Sequence, residues 1–342
     1  MKYIKLFIPV LVAMIIFILP TPEGLSQNTW LYFSIFIGVV IGLILEPIPA
    51  ALVGLVGVGI CIWFKIGPAG SGDVTKVIKS SEAVSWGLAG FSNSTVWLIF
   101  AAFMIGLGYQ KSGLGRRMAL ILIKLLGKTT LGLGYAIAIA DGILAPFIPS
   151  NSARSGGTLY PIVSSIPPMI GSYPDKEPRK IGGYLIWVSL AATCVTSSMF
   201  FTGLAPNLLA METATKSGVE AISWFGWFMA FLPAGIILFI ATPYLTYIFY
   251  PPTSKGSKEA SIWAGEELKK IGSITSKEWS MIGLAFFALI FWIFGDFFNV
   301  NATTVALSVM IAMVLLNIIT WDDVLTNKAA WGVLAWFGSL VT

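Results

Sequence analysis

The chain has 342 residues, of which 56% are hydrophobic and only 11% charged. Soluble domains carry about 25% charged residues, so the composition excludes an ordinary soluble globule and points to an all-α integral membrane protein. The net charge of +5 is spread over loops between apolar runs, which speaks for membrane topology and against nucleic-acid binding. Histidine is absent, removing imidazole catalysis and the commonest metal ligand. Cys61 and Cys194 lie in separate apolar segments without CxxC spacing. They read as packing residues, with neither a disulfide nor a metal site.

A membrane-crossing helix needs about 20 apolar residues. In chain order the candidates are 4–20, 30–46, 49–66, 94–110, 182–212, 222–250, 279–298 and 302–319, followed by an apolar run over 330–342. Lys2 and Lys5 precede the first run, which carries no small-residue cleavage site, so it reads as a first span with the N-terminus inside. Three crossings then place the loop 67–92 outside, and a fourth brings Lys111, Arg116, Arg117, Lys124 and Lys128 inside. Residues 114–127 alternate Arg and Lys with Leu and Ile at helical spacing, as an amphipathic helix lying in the cytoplasmic interface would.

Two further basic clusters follow, Lys176, Arg179 and Lys180, then Lys255, Lys258, Lys269, Lys270 and Lys277. All three clusters share one side only if 129–168 crosses an even number of times. The limb after Ser152 is short and holds Arg154, Gly156, Gly157 and Pro161, so a re-entrant hairpin over 129–167, turning near Pro149–Ser152, fits better than two full spans. One long kinked helix is the alternative, and it leaves the later clusters on the wrong side.

The polar segment 251–277 reads as a cytoplasmic linker that divides the chain into 1–250, which holds the scaffold spans, the hairpin and a broken helix over 182–212, and 278–342. Val96–Ile105 and Val333–Thr342 share an order of aromatic and small residues, and each follows a pair of apolar runs. Their opposite directions suggest inverted repeats, the second incomplete because it stops where its own hairpin should start. On that reading the sequence is a fragment of a longer chain.

Chemistry concentrates at two breaks in the apolar pattern. Pro146 and Pro149 end the entering limb of the hairpin, and Ser150, Asn151 and Ser152 then offer hydroxyls, an amide and free backbone N–H groups. Helix N-termini of this kind bind carboxylates, although Ser and Asn are also ordinary caps. The second break is Thr202-Gly203-Leu204-Ala205-Pro206-Asn207, where Gly203 permits unwound backbone and Pro206 removes a donor. Freed carbonyls there are suited to a cation, Asn207 is placed to cap the second half-helix, and a simple proline kink is the plainer reading. Arg154 within a membrane hairpin needs a partner or water. Two uses stand open: an ion pair with Asp141 on the opposing limb, or a fixed positive charge where a coupling cation would sit.

PSNSARSGGTLYPIV at 149–163 and FTGLAPNLLA at 201–210 resemble the divalent anion/sodium symporter family, in particular its di- and tricarboxylate antiporter branch. The resemblance covers essentially the whole chain. It implies a multi-span secondary transporter of the bacterial cytoplasmic membrane, dimeric, without a cofactor, moving small di- or tricarboxylates such as succinate, malate, tartrate, citrate or 2-oxoglutarate by an elevator motion. It further implies that Ser150, Asn151 and Ser152 contact a substrate carboxylate and that Thr202, Gly203, Pro206 and Asn207 form the neighbouring wall. Arg154 departs from the small polar residues of the sodium-coupled branch. That favours sodium-independent exchange over the alternative, a sodium-coupled symporter.

Overall fold

The computed structural model describes residues 2–66 and 78–342. Part of the expected outer loop, 67–77, lies outside the described residues. Helices run in the order α1 (Lys2–Ile18), α2 (Gln27–Leu45), α3 (Ala50–Trp63), α4 (Ser80–Gly87), α5 (Ser94–Ser112), α6 (Leu114–Leu126) and α7 (Thr130–Leu144). A π-helical turn at Ser152–Leu159 leads to α8 (Tyr160–Val163) and α9 (Ile166–Met169), then α10 (Gly182–Met199), α11 (Ala205–Lys216) and α12 (Trp224–Phe249). The chain continues through α13 (Lys258–Ile271), α14 (Ser276–Ile293), α15 (Gly295–Phe298), α16 (Ala302–Leu315), α17 (Trp321–Thr326) and α18 (Lys328–Val341). Among the described residues the one departure from helix and loop is an isolated bridge between Thr129 and Gly256.

Two compact units divide the chain, one of residues 1–100 with 328–342 and one of 101–327. In the first unit, α1 lies on α2, α2 on α3, and α3 on α18. A Cβ at Gly38 would stand 3.0 Å from Ala13 Cβ and 3.1 Å from Pro9 O, so this glycine sets how closely α1 and α2 approach, while Gly42 meets Val53 of α3. The outer faces of α1–α3 remain apolar and exposed, with Phe7, Leu11, Ile18, Ile44 and Trp63 on the surface. Such faces suit lipid, where exposure of apolar side chains carries no penalty.

In the second unit, α6 is held between α7 and α13, while α7, α10 and α12 pack in succession. Gly134 of α7 faces the hydroxyl of Tyr184 on α10, an approach with no room for a side chain. Pro243 inside α12 lacks the amide that would close its helical turn. Tyr135 and Tyr184 donate to carbonyls around that point, Ile240 O at 2.8 Å and Pro243 O at 3.2 Å. Among the described residues four helices, Gln27–Leu45, Gly182–Met199, Trp224–Phe249 and Ser276–Ile293, are long and apolar enough to cross a membrane.

Three sequence expectations change here. The segment read as a cytoplasmic linker, 251–277, contains a docked helix, α13: Arg116 pairs with Glu267 at 2.8 Å, and Ser261 donates to Lys124 O at 2.7 Å. Helix α6 is amphipathic, yet Arg117 points inward and forms a buried fork with Glu278, at 2.6 and 3.1 Å. The same guanidinium donates to Gly272 O and Ser273 O, fixing the start of α14 to α6. Cys61 is buried as expected, whereas Cys194 is exposed on α10 and does not pack.

The limb after residue 150 turns back. Thr130, at the start of α7, bonds Lys255 O and Ser254 O; Ser254 N bonds Lys180 O; and Ser172, just past α9, accepts from Gly182 N. Both ends of the hairpin are therefore tied to one seam. A single long kinked helix would hold them a full helix length apart.

Candidate functional site

The hairpin tip is built by two prolines and a widened turn. Helix α7 closes at Leu144, Ile148 N still bonds Leu144 O at 3.2 Å, and Pro149 then forces the chain out of helix. Ser150 caps the returning limb, its hydroxyl accepting from Ala153 N at 3.3 Å. That limb is π-helical from Ser152 to Leu159. Such turns are rare and occur mostly at functional sites, where the wider turn re-aims a side chain.

The re-aimed side chain is Arg154. It is fully enclosed, at 0% exposure, and Asp141 beside it is 1% exposed. Its Nε donates to Asp141 Oδ2 at 3.1 Å. Nη1 donates to two backbone carbonyls, Ile148 O at 2.8 Å and Gly203 O at 3.0 Å. Nη2 reaches Asn151 Oδ1 at 3.1 Å and Thr193 Oγ1 at 3.0 Å, with Thr196 Oγ1 at 3.3 Å. A guanidinium has five N–H donors in a fixed fork, and this cage engages all of them. Thr196 also donates to Asp141 Oδ2, while Asp141 Oδ1 has no hydrogen-bond partner. Of the two uses left open for Arg154, the ion pair with Asp141 is present, and the guanidinium also fills an oxygen-lined cage. Because Asp141 balances it, the pair leaves no net positive charge.

The second break meets the first. Helix α10 stops at Met199, a single 3₁₀ turn spans Phe201–Gly203, and α11 restarts at Ala205. Asn207 does not cap α11, where Leu204 holds that position. Its amide instead donates back to Ser197 O at 2.8 Å and Phe200 O at 3.1 Å, satisfying carbonyls left open at the end of α10. Gly203 lies so close to Ser197 that a Cβ would stand 3.0 Å from its carbonyl oxygen. Three bonds then join break to break: Ala205 N to Pro149 O at 3.1 Å, Thr202 Oγ1 to Pro146 O at 2.6 Å, and Arg154 to Gly203 O.

The expected site residues divide into two layers. Arg154, Asp141, Thr202 and Gly203 are buried; Ser150, Asn151 and Asn207 are half-buried; Ser152 and Pro206 are exposed. Thr202 is closed off, because its hydroxyl also accepts from Trp224 Nε1 at 3.0 Å. Asn151 gives its oxygen to Arg154, which leaves its amide NH2 as the group able to donate to a guest. The accessible layer is therefore Ser150, Asn151, Ser152, Pro206 and Asn207, with the caged guanidinium directly behind Asn151.

The polar stripe of α10 has a larger part than the sequence reading gave it. Ser189, Thr193 and Thr196 recur at helical spacing and meet the returning limb one after another. Ser189 pairs with Ser155 at 3.0 Å, while Thr193 and Thr196 hold Arg154. Hydroxyls four and three residues apart on an apolar helix were the signal. Trp224 gave none, being one of many aromatics. Among the described residues no group of three or more Cys, Asp or Glu is placed to hold a metal ion.

The sequence pattern of the sodium:sulfate symporter transmembrane region matches residues 1–342. The chain belongs to this family. The citrate/succinate antiporter of Escherichia coli strain K12 is 44% identical over 347 residues, covering 98% of this chain and 70% of that protein. The L-tartrate/succinate antiporter of the same strain is 46% identical over 339 residues, covering 98% and 69%, and the L-tartrate/succinate antiporter of Shigella flexneri matches to the same extent. Membership of the sodium:sulfate symporter family makes the chain an integral membrane transporter and not an enzyme. It also accounts for the apolar helices whose outer faces carry Ile237, Ile240 and Phe249.

Proposed function

We propose that this chain exchanges small di- or tricarboxylates, of the succinate, malate, tartrate, citrate or 2-oxoglutarate class, across a bacterial cytoplasmic membrane without sodium. Its similarity to the citrate/succinate and L-tartrate/succinate antiporters supports exchange. The observation that carries the sodium-independent part is the occupied cage. Carbonyls freed at helix breaks are what sodium-coupled carriers use to hold the ion. Here Ile148 O and Gly203 O, one from each break, both accept from Arg154. A guanidinium that cannot leave with the substrate takes the oxygens an ion would need, so no ion need be carried.

In this reading a carboxylate rests on the tip, taking hydrogen bonds from Ser150, Asn151 and Ser152, with Pro206 and Asn207 as the adjoining wall. Thr202 and Gly203 act one layer back by holding the two breaks together. Obligatory exchange has a charge basis at the tip. Because Asp141 neutralises Arg154, the tip amides and partial charges at the helix starts must answer the guest's charge, and those are costly to carry empty through lipid. Homodimeric assembly, an inside N-terminus, inverted repeats and elevator-type movement of the hairpin with α10 and α11 complete the proposal.

Counterflow in proteoliposomes tests it. Labelled succinate should enter vesicles only when an unlabelled dicarboxylate is inside, equally in sodium and choline media. Uptake that requires sodium and no internal dicarboxylate overturns the proposal.

A further inference from the structure

The ends of the hairpin, α10 and α12 converge on a seam whose side chains the transport chemistry does not use. Four backbone bonds knit it: Thr130 N to Lys255 O at 3.1 Å, Ser254 N to Lys180 O at 3.0 Å, Thr253 N to Arg179 O at 3.0 Å and Ser257 N to Lys128 O at 3.2 Å. Residues far apart in sequence thereby place four basic residues, Lys128, Arg179, Lys180 and Lys255, on one backbone seam. Like charges gathered so closely repel unless an anion joins them. No carboxylate of the described residues lies within 4.0 Å of any of the four. Asp175 and Glu177 share the adjoining loop and Glu259 opens α13, yet none of them forms an ion pair there.

The depth of the seam is set by the membrane helices. Lys180 stands two residues before α10 begins at Gly182, and α12 ends at Phe249, which is 80% exposed. Both helices are long and apolar enough to span. Where two spans end together, the surroundings change from acyl chain to headgroup. Tyr250 follows at that level, with the Arg179 guanidinium 5.0 Å over its ring, and Tyr173 is 44% exposed nearby in sequence. Aromatic rings at headgroup depth beside unpaired basic side chains match the chemistry of an anionic phospholipid site.

We infer that the seam of Lys128, Arg179, Lys180 and Lys255 binds the headgroup of an anionic phospholipid, which clips the base of the hairpin to α10 and α12. The lipid's phosphodiester supplies the missing counter-charge and its acyl chains lie along the exposed apolar face of α12. The inference stands on membrane insertion alone and does not depend on which solute is carried.

Native mass spectrometry and thermal unfolding of the detergent-purified chain, titrated with phosphatidylglycerol or phosphatidylcholine, decide it. Phosphatidylglycerol should be retained and raise the unfolding temperature; phosphatidylcholine should do neither. A basic residue near the surface contributes about fivefold to anionic lipid binding, so the triple variant Lys128→Gln/Lys180→Gln/Lys255→Gln should bind phosphatidylglycerol roughly a hundredfold more weakly. The backbone bonds of the seam survive that change, and the triple Lys→Arg variant should restore binding. The equally charged control Lys269→Gln/Lys270→Gln/Lys277→Gln, at the far end of α13 and the start of α14, should bind as the parent does. Equal stabilisation by phosphatidylcholine, unchanged affinity in the seam variant, equal loss in the control, or full displacement by glycerol phosphate or succinate would each overturn the inference.

Discussion

Replacing Arg154 by Met tests the cage most directly. The guanidinium is completely enclosed and Asp141 is 1% exposed, so removing one partner strands a carboxylate whose remaining donor is the Thr196 hydroxyl. Breaking a buried pair in this way costs about 3–5 kcal/mol. Ile148 O and Gly203 O also lose their partner, and each unsatisfied buried carbonyl adds about 1–3 kcal/mol. Water entering from the half-buried tip offsets part of this, giving a net loss of about 4–6 kcal/mol. Deleting both charges, in Arg154→Met with Asp141→Leu, removes the stranded carboxylate, and such apolar replacements are often neutral for stability. The double variant should therefore regain about 3 kcal/mol over the single one in a double-mutant cycle of unfolding in detergent. Arg154→Met alone should also gain stability from sodium chloride and none from choline chloride, since its emptied cage keeps a carboxylate and carbonyl oxygens. A single variant as stable as the parent, or strictly additive effects, would show that the pair is not the lock between the two breaks.

Arg117→Met should cost about 3–5 kcal/mol, because it leaves Glu278 buried at 2% exposure and releases the start of α14 from α6; hydrogen exchange should rise at 272–278. Gly134→Ala drives a Cβ into the Tyr184 hydroxyl and should destabilise by about 1–3 kcal/mol, with Tyr184→Phe recovering part of the loss in thermal unfolding. Trp224→Phe removes the donor to Thr202 and should cost about 1 kcal/mol, read as lower counterflow at elevated temperature. Asp323 is held below the ordinary carboxylate range by the Thr320 backbone N–H and by Lys111. A depressed carboxylate stabilises above its unfolded pKa of about 3.9 and loses that contribution as pH falls through its lower folded value, so hydrogen exchange in α17 should increase below that pH and stay flat above it.

Much of the architecture followed from local rules. Apolar length located the long apolar helices α2, α10, α12 and α14, Pro146 and Pro149 marked the turn, and Gly203 with Pro206 marked the second break. Asp141 and Arg154 stood out because charges inside a membrane segment are expensive. The docked helix within the polar run 251–277 was not legible, because surface charge looks the same on a connecting segment and on one face of a packed helix. Only its partners on α6, Arg116 and Lys124, distinguish the two.

Sequence by itself determined that the chain lives in lipid, where it breaks, and which two charges must find company, since solvation cost and proline geometry are properties of a residue and its neighbours. The tertiary structure decided the rest. Whether Asn207 caps or stitches, whether Arg117 faces lipid or Glu278, and which oxygens surround Arg154 depend on groups that lie far apart in sequence. A hydrogen bond is satisfied within about 3 Å, a scale set by packing alone.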